Sequence, residues 1–108
     1  MKYLTKQDIE KFNQVGYLVK KKFFSLEEIS KIRTWVYQYM EKKPDDWENG
    51  KEMAYYETNL KSNLRVLTRV EKTIEYNESI SKIANSKKLK ACLDDLLGEG
   101  CILFKDKI

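Results

Sequence analysis

The residues here that could do chemistry are carboxylates, lysines and two thiols, because the sequence contains no histidine. Without imidazole there is no Ser-His-Asp or Cys-His nucleophile system within these residues. Nor is there a histidine-based zinc site or a two-histidine, one-carboxylate iron site. The adjacent acids Glu27/Glu28, Asp45/Asp46 and Asp94/Asp95 remain as candidates for proton transfer. Sequence neighbours do not face one another on a helix, however. Glu27 and Glu28 therefore read as residues serving a helix start, and the other two pairs as solvated surface. Cys92 and Cys101 lack CxxC spacing, and no export signal precedes them. They read as reduced structural thiols of a cytoplasmic protein, Cys92 on a buried helix face and Cys101 in a strand. The four glycines, at 16, 50, 98 and 100, each mark an element boundary, so no glycine-rich phosphate loop is present.

The net charge is +4, carried by 18 Lys and only 3 Arg. Arginine is the preferred bidentate partner of phosphate and guanine. The excess charge therefore reads as solvated surface, the Lys20-Lys-Lys22 run included, and nucleic-acid binding is the weakest of the functional readings. The aromatics do not interleave with arginine as a base-stacking platform does, and they read as packing residues. No stretch is apolar enough to span a membrane.

These residues must be positioned by local elements whose signals are readable. Thr5 with Asp8 makes a helix N-terminus, Ile9, Phe12 and Val15 share one face, and Gly16 ends the helix. Tyr17–Lys20 reads as a short strand. Ser25 with Glu28 is a second capping box. It opens a helix over 25–43 with a buried stripe of Ile29, Ile32, Val36 and Tyr39/Met40, stopped by Pro44. A polar loop over 45–50 precedes a hairpin: strands over 53–57 and 64–70, turned at Asn59–Asn63. Alternation in the second strand puts Leu64, Val66, Thr68 and Val70 on one face, and Arg65, Leu67 and Arg69 on the other. Asn77 or Glu78 starts a helix through Ile80 and Ile83. Ser86 re-caps one carrying Leu89, Cys92, Leu93 and Leu96, and Gly98 closes it. The order is α-β-α-β-β-α-α-β, in one partial domain over 1–108.

The last segment, Cys101–Ile108, reads as a strand that must pair backwards, pair with another chain or stay open. Together with the missing histidine, it points to the opening part of a larger protein.

Several motifs in fixed order then carry a resemblance. Asp-x-x-x-Phe-x-x-x-Gly-Tyr-Leu-Val (8–19) leads into Phe-Phe-Ser-Leu-Glu-Glu-Ile (23–29). Leu-Thr-Arg-Val-Glu (67–71) follows, then Leu-x-x-Leu-Leu-Gly-x-x-x-x-Leu-Phe-Lys-Asp-Lys-Ile (93–108). The series resembles the N-terminal part of the phytanoyl-CoA dioxygenase family, Fe(II)- and 2-oxoglutarate-dependent oxygenases built on a jelly roll (double-stranded β-helix). The resemblance implies an α+β fold of N-terminal helices and first strands, truncated before the metal-binding core. It implies hydroxylation of an aliphatic carbon in the parent enzyme. It also implies Fe(II) and 2-oxoglutarate as cofactors there, with no catalytic residue and no iron ligand in these residues. Arg69 and Lys107 fall on the side of the 2-oxoglutarate pocket. The expected partner is the remainder of the oxygenase domain, or a second copy through Cys101–Ile108. The alternative reading is a non-catalytic interaction domain that pairs through that C-terminal edge strand.

Overall fold

A computed structural model describes residues 2–108. Two capped helices lead the fold. In α1, Lys6–Val15, the Thr5 hydroxyl accepts from the Asp8 N–H at 3.1 Å, and the Asp8 carboxylate accepts from the Thr5 N–H at 2.9 Å. Gly16 closes the helix at φ 85°, which costs glycine nothing. In α2, Leu26–Glu41, Ser25 and Glu28 repeat the reciprocal cap at 3.1 and 3.0 Å. The helix ends at Glu41, two residues short of the expected 43, with Lys42 in extended backbone, and Pro44 opens a short 3-10 turn, Pro44–Asp46. Its inner stripe comprises Ile29, Ile32, Val36 and Tyr39, whereas Met40 is exposed.

The expected strand at Tyr17–Lys20 does not form. Among the described residues it has no strand partner, and it returns along α1 as an irregular stretch pinned by the ion pair Lys20–Asp8 at 2.7 Å. Lys20 is thereby drawn out of the purely solvated role expected for the lysine run.

A single antiparallel hairpin follows, β1 (Met53–Thr58) with β2 (Arg65–Glu71). Tyr55 faces Arg69 but Tyr56 faces Leu67, so Thr68 is the extra residue of a bulge. Its hydroxyl donates back to the Tyr55 carbonyl at 3.1 Å. The bulge resets the alternation. Val70 keeps its inward place, Leu67 joins it, and Leu64, Val66 and Thr68 are exposed. Ala54, Tyr56, Leu67 and Val70 make the inner, helix-side face. Met53, Tyr55, Arg69 and Glu71 make the open face.

After β2 the chain turns sharply at Lys72 (φ 62°) into one helical turn, α3 (Thr73–Tyr76), which local signals did not reveal. Asn77 then caps α4 (Glu78–Ala84), and Ser86 caps α5 (Lys87–Leu97), closed by Gly98 at φ 75°. The final segment is a strand only at its tip. Ile108 and Val70 exchange backbone hydrogen bonds at 2.9 and 3.1 Å, and Lys107 bridges Glu71. Residues 101–106 are irregular, so the strand expected over 101–108 shrinks to its last two residues.

The fold is α+β, with little inside it. Among the described residues the buried apolar side chains are Leu4, Tyr39, Val70 and Cys92. The radius of gyration is 17.1 Å, where about 13 Å is usual for this length. The accessible surface is 8955 Å², against roughly 6,300 Å² for a compact chain of this mass. An apolar groove of about 320 Å³ between α2 and α4, lined by Ile32, Trp35, Val36, Ile80 and Ile83, lies open.

Candidate functional site

The open face of the hairpin gathers the charges. Arg69 lies two residues before Glu71 on the same strand, and Lys107 stands opposite Glu71 across the bridge. Side chains two apart, or directly opposite, share a face. The structure therefore brings Arg69 and Lys107 together on one face, on either side of a carboxylate.

Glu71 is the hub. Its side chain is only 10 % exposed, and it accepts from Lys105 Nζ at 3.0 Å, with Arg69 Nε at 3.9 Å. Lys105 first, and Arg69 with it, hold the Glu71 carboxyl below the usual range. The Arg69 guanidinium lies 4.1 Å from the Tyr55 ring centroid, a cation–π contact that fixes its plane. Two cations, Lys105 and Arg69, thus contact one carboxylate, and Lys107 stands across the bridge from it. A cavity of about 300 Å³ lined by Met53, Glu71, Lys72, Glu75 and Lys105 opens beside them. Lys105 and Glu71 were not singled out by sequence. Their signal was the i, i+2 spacing to Lys107 and Arg69.

What holds the segment to the sheet is Asp106. Its carboxylate accepts from the Thr73 N–H at 2.7 Å, the Thr73 hydroxyl at 2.6 Å and the Ile74 N–H at 3.3 Å. Lys72, the residue before α3, offers no cap, so a side chain 33 residues away supplies it. At the other end of the segment, Asp94 accepts from the Cys101 N–H at 2.8 Å and pairs with Lys90 at 2.8 Å. Lys90 chiefly, then Cys101, lowers the Asp94 carboxyl to about 2. Asp94 is therefore a structural tie, not the solvated surface residue its sequence position implied. The same contact, with burial, pushes the Cys101 thiol up, and burial does the same to Cys92. Neither is activated as a nucleophile.

The aromatics pack rather than bind. The Trp47 indole N–H donates to the Tyr56 hydroxyl at 2.7 Å, which donates to the Lys42 carbonyl at 2.8 Å, and Trp47 stacks on Tyr39 at 5.4 Å. This cluster seats the hairpin on the end of α2.

Among the described residues, no three His, Cys, Asp or Glu side chains are grouped to hold a metal ion. Among them, too, no helix is long and apolar enough to cross a membrane.

No protein-family profile matches the chain, and no solved structure does. Two curated proteins are similar to it. One is the 2-aminoethylphosphonate dioxygenase of the uncultured bacterium HF130_AEPn_1, 30% identical over 110 residues, which take in 100% of this chain and 40% of that protein. The other is the methylphosphonate hydroxylase of Gimesia maris, 30% identical over 105 residues, or 97% of this chain and 38% of that protein. The chain thus spans about two-fifths of the length of these relatives.

Proposed function

We propose that the chain is the N-terminal segment of an Fe(II)- and 2-oxoglutarate-dependent oxygenase of the phytanoyl-CoA dioxygenase kind. The remaining jelly-roll strands and the iron ligands would lie outside these residues. The observation that carries this reading is the alignment: the whole chain runs along an oxygenase of which it spans 40%. The thin core supports it independently. A surface of 8955 Å² with four buried apolar side chains among the described residues is what a fold looks like before its covering sheet is in place.

On this reading the open face of the hairpin turns inward when the missing strands close over it. Arg69 and Lys107 then present positive charge to the carboxylates of 2-oxoglutarate. Glu71 holds Arg69 and Lys105 in place and tempers their repulsion. The iron does not fit the residues present, which include no histidine. No step of the reaction is therefore assigned to this chain. The parent reaction is hydroxylation of an aliphatic carbon. Both relatives are named for phosphonates, which makes a small alkylphosphonate the substrate class of the parent. The partner of this segment is the rest of that domain, in the cytoplasm.

The test is the coding sequence that follows the codon for Ile108. This reading expects it to encode a His-x-Asp motif, in frame or behind an interrupting lesion. Absence of any such motif downstream would sink it.

A further inference from the structure

The segment between the Asp94 and Asp106 ties is a strap with nothing over it. Cys101 is fixed at one end and residues 106–108 at the other. Between them the backbone N–H and C=O groups of Ile102, Leu103 and Phe104 make no hydrogen bond among the described residues. Their side chains are bare: Ile102 is 92% and Phe104 96% exposed, and Leu103 is half exposed. Leu93 and Leu97 of α5 continue the patch and line a depression of about 480 Å³ with these residues.

We infer that residues 101–105 form a self-association surface, at which a second copy of this chain pairs antiparallel across a two-fold axis at Leu103. Three observations favour a copy of this chain as the occupant. The first is register. An antiparallel pair centred on Leu103 sets Ile102 of one copy opposite Phe104 of the other, an aromatic against a β-branched side chain. The exchange also satisfies the free backbone groups of both. The second is charge. The two cations at the rim, Lys90 and Lys105, are already neutralised within the chain by Asp94 at 2.8 Å and Glu71 at 3.0 Å. Two copies of a basic protein can therefore approach here without placing unpaired lysines face to face. The third is area. Five large apolar side chains this exposed offer on the order of 600 Å², above the usual limit for an unpartnered patch and near the roughly 800 Å² each partner contributes to a stable interface.

The edge is confined to the strap, because residues 107 and 108 are spent on β2. That confinement limits assembly to a closed dimer. The inference goes beyond the oxygenase reading and concerns the 108-residue chain by itself. Failure here leaves that reading intact, since that reading is tested on the sequence encoded after Ile108.

Sedimentation equilibrium of the 108-residue chain from low to high micromolar concentration should fit monomer and dimer. Phe104→Lys and Ile102→Lys should each raise the dimer dissociation constant at least about tenfold. Both side chains are exposed, so far-UV circular dichroism should be unchanged. Leu60→Lys alters an equally bare leucine in the hairpin turn (96% exposed) and should leave the dimer as it is. In a Cys101→Ser background, Leu103→Cys should form an intermolecular disulfide on mild oxidation, because residue 103 faces its own copy. The inference is overturned by a clean monomer at high concentration, with the strap then left for a chain of different sequence. It is equally overturned by open-ended aggregation, or by a dimer that responds to Leu60→Lys as strongly as to Phe104→Lys.

Discussion

The carboxylate of Asp106 caps Thr73 twice, accepting from its backbone N–H at 2.7 Å and its hydroxyl at 2.6 Å. Thr73 is 1% exposed, so water cannot replace that acceptor. Asp106→Ala should therefore destabilise the chain by about 1–3 kcal/mol, the cost of stranding buried donors. Asp106→Asn, which keeps one acceptor oxygen, should recover part of the loss. Urea unfolding measures both. An alanine variant as stable as the parent would mean that the C-terminal tip is not docked.

Asp94 predicts an acid limb. Lys90 and Cys101 favour the charged form and lower its carboxyl to about 2, well below the usual aspartate range. A depressed carboxylate pKa adds stability above the unfolded value, and that stability is lost as pH falls through the folded value. Stability should thus decline between about pH 4 and pH 2. Asp94→Asn should be less stable at neutral pH and should flatten that decline. Urea midpoints across this range check it, and an unchanged acid slope in Asp94→Asn would contradict the tie to Cys101.

Helix α2 separates capping from packing. Ser25→Ala removes an acceptor at an exposed helix start and should cost about 1 kcal/mol. Ile32 lines a groove that is open on one side, so Ile32→Ala should cost about 2 kcal/mol, the low end for such truncations. If the Ile32 change costs less than the Ser25 change, the inner face of α2 has been assigned wrongly.

Local chemistry made much of this fold legible. The caps at Thr5, Ser25 and Ser86, and the closures at Gly16 and Gly98, depend on residues within four positions, and all formed as their types require. The hairpin was equally legible, since Asn59–Asn63 supplies the turn and both flanks favour strand. What failed was non-local. Tyr17–Lys20 has strand composition but no strand partner among the described residues. The bulge at Thr68 is invisible in β2 alone, because it exists only as a mismatch with β1. Asp106 sits in a segment whose residues read as strand. Its purpose appears only when a helix start 33 residues earlier, with no cap of its own, is brought beside it. The charged face divides the same way. Arg69 and Lys107 were named only through the resemblance, whereas the Glu71 hub and the Lys105 pairing needed the sheet.

The most direct test of the central claim is an anaerobic titration with Fe(II) and 2-oxoglutarate, run on two proteins. One is the 108-residue chain, and the other is the same chain extended through the region encoded downstream of Ile108. The account predicts that the extended protein develops the metal-to-ligand charge-transfer band and, once oxygen is admitted, releases succinate. The 108-residue chain should do neither. Stoichiometric iron binding with turnover by the short chain, or a folded extended protein that shows neither signal, would contradict it.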